Sequence, residues 1–108
     1  VLVESLRKKC SFLRTAKAEL ALGNLEVVQD RVQNLCSVSY AVSRAAFSEP
    51  MVNELSASFR VGGHLALLRV PSPEFLRIIA KGPRAVVDQL NYKLDTGAER
   101  CVVLLRKK

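Results

Sequence analysis

Val1-Leu2-Val3-Glu4-Ser5-Leu6-Arg7-Lys8-Lys9-Cys10-Ser11-Phe12-Leu13 is the stretch that decides the fold. Its first four residues are an apolar run closed by an acid, as in a parallel strand covered on both faces. Ser5 is placed to cap a helix. Leu6, Cys10, Leu13, Ala16 and Leu20 then recur every three or four residues, which is one face of that helix. Arg7, Lys8, Lys9, Arg14 and Lys17 occupy the other faces. Gly23-Asn24 is expected to end the helix, with glycine in the left-handed position after the last turn. A strand running directly into an amphipathic helix is half of a βαβ unit.

The same alternation continues outward from this start. Residues 25–29 read as a second strand, 30–36 as a loop or short helix, and 38–44 as a third strand. Ser48-Glu49-Pro50 opens a helix whose buried side is Met51, Val52, Leu55 and Phe59. Gly62-Gly63 is expected to break it, and 64–70 to form a fourth strand. Pro71-Ser72-Pro73 leads into a short helix over 74–80, and Lys81-Gly82-Pro83 is a second break. The ending differs: Leu90, Tyr92 and Leu94 alternate with polar residues, Asp95-Thr96-Gly97 supplies a turn, and 101–105 is wholly apolar. Two strands joined without a helix must be antiparallel, since a parallel crossover takes a dozen residues or more. The expected class is therefore α/β, a Rossmann-like sheet ending in an antiparallel hairpin, within one domain spanning 1–108.

Composition narrows the partners. The chain has 108 residues, 49% of them hydrophobic, and no apolar run approaches the ~20 residues a membrane span needs. Arg7, Lys8 and Lys9 interrupt any signal peptide, so a cytoplasmic protein is expected. The first residue is Val inside a strand, which suggests a piece of a longer chain. Cys10, Cys36 and Cys101 lack any CxxC spacing and read as reduced thiols rather than a zinc site. The net charge of +7 favours a polyanionic partner such as nucleic acid. With 6% aromatics and no Trp, a stacking surface for single strands is not evident.

Ligands of doubly wound sheets sit at the carboxyl ends of the strands, where Glu4, Arg31, Arg44 and Arg69 fall. An acid ending a strand accepts hydrogen bonds from both hydroxyls of a ribose; the same acid can equally cap the following helix. No GxGxxG and no GxxxxGK[ST] occurs. Lys81-Gly82-Pro83-Arg84 can contact a backbone phosphate or simply break the chain. His64 is the one histidine and no GxSxG accompanies it, so hydrolytic chemistry has no support.

These residues together resemble the bacterial small-subunit ribosomal RNA guanine-N7 methyltransferase G family. Its second-strand motif, LVDS/E followed by xxKKxxFL, is matched by residues 1–13. The spacing continues through Gly23-Asn24-Leu25-Glu26-Val27-Val28, Arg31-Val32-Gln33, Val42-Ser43-Arg44-Ala45 and Gly62-Gly63-His64-Leu65-Ala66-Leu67. The resemblance implies a class I methyltransferase sheet using S-adenosylmethionine to methylate small-subunit ribosomal RNA. It implies that Glu4 binds the ribose hydroxyls, that Arg31, Val32 and Gln33 lie beside the adenine, and that Arg44 lines the catalytic cleft. Arg7, Lys8, Lys9, Lys81 and Arg84 would face RNA. The family's first strand and glycine-rich loop are expected ahead of Val1, between the strands at 1–4 and 38–44; the sheet here is then incomplete, and its open edges favour a homodimer. Gln33 stands where the family has an acid, and Lys81-Gly82-Pro83-Arg84 resembles its ALKGPR segment displaced downstream. The alternative reading is a non-catalytic basic α/β module that binds RNA or a protein partner.

Overall fold

The computed structural model describes residues 1–44 and 48–108. Its contacts gather into two units, Val1–Leu35 and Cys36–Lys108.

In the first unit, β1 (Leu2–Glu4) runs into α1 (Arg7–Glu19) and returns as β2 (Val27–Gln29). The two strands pair in parallel, Leu2 opposite Val27 and Glu4 opposite Gln29. Cys10 is the fully buried residue of α1, and its thiol donates to the Glu4 carbonyl at 3.1 Å, fastening helix to strand. The cap residue of α1 is Leu6, not Ser5, and no side chain caps it from that position. Glu4 takes over: its Oε1 accepts the Leu6 amide at 3.3 Å.

The end of α1 also departs from expectation. Leu22 N–H donates to the Lys17 carbonyl at 3.0 Å, and Ala21 N–H to the Ala18 carbonyl at 3.2 Å. That is the Schellman pair of bonds, and the left-handed residue it needs is Ala21, with φ +51°. Gly23 instead sits with Asn24 in the following turn, closed by Leu25 N–H on the Leu22 carbonyl at 3.2 Å. A 3-10 turn over Val32–Asn34 ends the unit.

The second unit is a four-stranded sheet, β3 (Val38–Arg44), β4 (Phe59–Arg69), β5 (Arg84–Lys93) and β6 (Glu99–Lys107), in the order β3-β4-β6-β5. β3 and β4 are parallel; β6 is antiparallel to both its neighbours. α2 (Glu49–Glu54), a 3-10 turn (Leu55–Ser58) and α3 (Pro73–Ala80) connect them. Ser72 caps α3, its hydroxyl accepting the Phe75 amide at 3.2 Å. The core gathers Val52, Phe59, Leu65, Leu67, Phe75, Ile79, Cys101, Val103 and Leu105. Alternate residues of β4 and β6 supply one face of it, as a period of two demands. Burying Phe75 alone contributes roughly 1.5–3 kcal/mol.

Gly62-Gly63 does not break the chain: both lie inside β4, at a bulge where Val38 faces Phe59 but Tyr40 already faces His64. Gly62 has φ +80°, and a Cβ on Gly63 would lie 2.8 Å from the Val38 carbonyl oxygen. Two glycines are therefore what the bulge and the close approach of β4 to β3 require. His64 is mid-strand rather than at a strand start, stacked on Tyr40 with ring centroids 5.9 Å apart.

Candidate functional site

At the carboxyl end of β1 and β2, Glu4 and Asp30 are tied by backbone: Asp30 N–H donates to the Glu4 carbonyl at 3.1 Å. Asp30 Oδ1 then accepts both the Arg31 amide and the Asn34 side-chain amide, each at 2.7 Å. One carboxylate thus shapes the turn that carries Arg31, Val32 and Gln33. Arg31 and Gln33 are exposed and Val32 is half-buried. The structure brings these four expected residues to one end of one small sheet. Asp30 is the organiser that the sequence reading passed over; an acid ending a strand and followed by a turn was the signal for it.

Glu4 is half-buried with a carboxylate oxygen on the Leu6 amide. That bond is long, and a carboxylate has about four acceptor positions, so capping α1 leaves acceptors for a diol. The donor set therefore fits an adenosine: paired acceptors for the ribose at Glu4 and a half-buried apolar side chain, Val32, for the base.

α1 breaks a local rule. Its first turn carries Arg7, Lys8 and Lys9, all exposed, and no acid. Cations at a helix N-terminus oppose the macrodipole, each by a few tenths of a kcal/mol or more.

In the second unit, Arg44 ends β3 and is exposed, with Leu68 of β4 as its register partner. Ala45, which completes the segment quoted with Arg44, lies outside the described residues. Arg69 ends β4, its guanidinium 3.4 Å from the Phe75 ring centroid. Across the ladder it faces Cys101, whose thiol burial pushes upward in pKa while the Arg69 charge partly opposes the shift. Lys81 is exposed.

Arg84 overturns its expectation. Far from facing RNA, its side chain is 0% exposed, stacked on Phe59 at 4.3 Å, with Nε donating to the Val52 carbonyl at 3.4 Å. Burial lowers its pKa, and neither Nη atom finds an acceptor among the described residues. The long apolar stem and planar head allow Arg to behave as a core residue beside an aromatic ring. Among the described residues there is no cluster of three His, Cys, Asp or Glu side chains that could hold a metal. No helix among them is long and apolar enough to cross a membrane.

Comparison with solved structures agrees with this architecture. The chain superposes on geranyl diphosphate methyltransferase in complex with SAM with a TM-score of 0.72 at 10% identity, covering 98% of this chain and 67% of that one. On the [4+2]-cyclase SpnF the TM-score is 0.75 at 9% identity, covering 97% and 64%. At such identities the likeness shows the fold alone, the Rossmann-like class I methyltransferase sheet.

Sequence comparison goes further. The chain is 32% identical to the ribosomal RNA small subunit methyltransferase G of Thermotoga neapolitana, over 98% of this chain and 51% of that protein. Against the Aromatoleum aromaticum protein of the same name it is 34% identical, over 97% and 52%. The Neisseria gonorrhoeae protein gives 32%, over 99% and 54%. The chain thus spans about half the length of the curated relatives it matches. Residues 1–75 match the family described as GidB, rRNA small subunit methyltransferase G. With β1, α1, β2, the turn at Arg31, β3 and β4 all inside that match, the chain belongs to the rRNA small subunit methyltransferase G family.

Proposed function

We propose that the protein to which this chain contributes methylates small-subunit ribosomal RNA at guanine N7, using S-adenosylmethionine. The observation that carries the reading is the family match over residues 1–75, inside which Glu4, the Asp30-organised turn and Arg44 all lie. In this reading Glu4 holds the ribose hydroxyls, the turn of Arg31, Val32 and Gln33 borders the adenine, and Arg44 lines the cleft for the acceptor base. The sulfonium cofactor supplies an electrophilic methyl group when bound. Guanine N7 carries an in-plane lone pair and needs no base to deprotonate it. The chain's residues have only to hold that base in line, and orientation of this kind supplies up to ~7–11 kcal/mol of a barrier. The exposed cations Arg7, Lys8, Lys9 and Lys81 support phosphate contact. A cytoplasmic location, where ribosomal RNA is modified, and self-association through the open sheet edges belong to the same reading.

Calorimetric titration of the 108-residue chain with S-adenosylhomocysteine tests it. Saturable one-to-one binding is expected, lost in Glu4→Ala and kept in Glu4→Asp. Absence of any heat at millimolar ligand, or binding indifferent to Glu4→Ala, would count against the assigned pocket.

A further inference from the structure

The sheet of the second unit concentrates its cations at one end. Arg60 lies at the start of β4, Arg84 opens β5, and Arg106 and Lys107 close β6. Because β6 runs against both its neighbours, these residues come to the same end. Lys108 follows β6, and its amide donates to the Pro83 carbonyl at 2.9 Å, which brings the turn of Lys81 there too. Six of the eleven Lys and Arg side chains of residues 36–108 are thus gathered together. Of the acids, Glu54 closes α2 on this side. Glu74, Asp95 and Glu99 lie in the first turn of α3, the β5–β6 turn and the start of β6, at the other end.

The oxygens that hold these cations belong to carbonyls. Lys107 Nζ donates to the Phe59 carbonyl at 2.7 Å, and Lys108 Nζ to the carbonyls of Ala80 and Gly82, each at 3.0 Å. An ammonium has three N–H groups, so further donors remain on both, on side chains fixed in advance. Lys107 stands directly opposite Arg84 in the β5–β6 ladder, and like charges so placed repel. Arg84 is wholly buried over the Phe59 ring, with both Nη atoms unpartnered among the described residues. Salt screens a buried charge of this kind far less than one in water.

We propose that this end of the sheet holds the phosphate backbone of the RNA substrate, apart from the edge at which Arg44 meets the acceptor base. The proposal rests on the RNA reading above. Lys107 and Lys108 donate to phosphate oxygens, and the exposed Arg60, Lys81 and Arg106 surround them. Arg84 adds its charge from beneath and touches no RNA. An ammonium is a point charge suited to phosphate and carries no pattern for a base edge, so the contact is independent of sequence.

The ladder gives the separation from the acceptor base. Arg44 is level with Leu68 and Arg106 with His64, four residues along the strands and two strand spacings across. That is ~13 Å by ~10 Å, or ~16 Å in all. Stacked nucleotides advance ~3.4 Å each, so the backbone held here belongs to a nucleotide about five steps from the acceptor.

The test is fluorescence anisotropy of the 108-residue chain, at several salt concentrations, with a labelled RNA hairpin. A stem of about ten base pairs, at ~3.4 Å per step, spans the distance. Arg60→Gln combined with Arg106→Gln is expected to reduce the slope of log K against log salt by about 1.8, the loss of two duplex phosphate contacts. Lys107→Gln is expected to reduce it by about 0.9, with Lys107→Arg restoring it. Lys93→Gln, at the other end of β5, is expected to leave the slope unchanged. Inorganic polyphosphate is expected to displace the RNA, and polyglutamate of equal charge to displace it poorly. Circular dichroism of each variant verifies the fold, and the Arg60 and Arg106 changes are both at exposed positions. If RNA binds and the paired variant keeps the native slope, or Lys93→Gln lowers it as much, this end is wrong and the RNA reading stands. If polyglutamate displaces RNA as well as polyphosphate does, the surface takes an acidic protein segment and the phosphate assignment is refuted. If the unaltered chain binds no RNA, both fall.

Discussion

Exchanging the residues at 21 and 23 puts the end of α1 to a test of sign. Ala21 holds φ +51°, a region that costs an L-residue ~1–2 kcal/mol because its Cβ crowds the next carbonyl oxygen. Glycine removes that crowding and gives back ~0.5–1 kcal/mol as backbone entropy. Ala21→Gly is therefore expected to stabilise by about 0.5–1 kcal/mol, with the bonds from Leu22 to Lys17 and from Ala21 to Ala18 unchanged. Gly23 lies outside the left-handed region, and a Cβ there meets nothing within 4 Å. Gly23→Ala should thus gain ~0.4–1 kcal/mol by restricting the unfolded chain. Urea unfolding followed by far-ultraviolet circular dichroism measures both. With m near 1–3 kcal/mol/M, a gain of ~1 kcal/mol moves the midpoint up by about 0.3–1 M at constant m. Sequence pattern alone, with Gly23 as the left-handed residue, demands the opposite sign for both changes. A lower midpoint for Ala21→Gly together with a lower one for Gly23→Ala would refute the Schellman assignment.

Gly63→Ala is expected to destabilise by about 1–3 kcal/mol, since its Cβ would lie 2.8 Å and 2.9 Å from two backbone carbonyl oxygens; an unchanged urea midpoint would mean that β3 does not approach β4 so closely there. Stability should fall as pH rises above the ordinary thiol value near 9.0. Burial raises Cys101 in the folded chain, so the unfolded chain loses that proton first, and the stability linked to this thiol is whole below this range and lost above it. Cys101→Ala, followed by urea midpoints at several pH values, should flatten the decline. Toward a thiol reagent the exposed Cys36 should react at once and the buried Cys10 and Cys101 only on opening. Edge strand β3 presents Tyr40 and Val42, each 76% exposed, so light scattering at high concentration is expected to show dimers; a strictly monomeric chain would count against pairing through that edge.

Much of this was legible because it is local. The period of α1, the bounds of β3 and the hairpin turn at Gly97 all follow from residues close in sequence. What escaped depended on neighbours far along the chain. Gly62-Gly63 reads as a break until the carbonyl of Val38 is placed against it. Arg84 reads as a surface cation until Phe59 is placed beneath its guanidinium. The insertion of β6 between β4 and β5 leaves no local trace, since strand order is not written in strand pattern. At the candidate site, Glu4 and the turn at Arg31 could be read from their place after apolar runs. Asp30 carried a local signal too, an acid after an apolar run and before a turn, and its two bonds, to the Arg31 amide and the Asn34 side chain, give that signal its role.

The placement of β6 sets a clock on synthesis. β4 ends at Arg69, and the strand that covers its second edge begins only at Glu99. At ~5–20 residues per second the ribosome needs roughly 1.5–6 s to deliver the intervening segment. Throughout that interval the Leu65–Leu68 edge waits without its partner, and pauses in translation between the two strands would lengthen the time in which a nascent neighbour can reach it. Synonymous codon changes between Arg69 and Glu99 should therefore alter the yield of folded protein without altering a single residue.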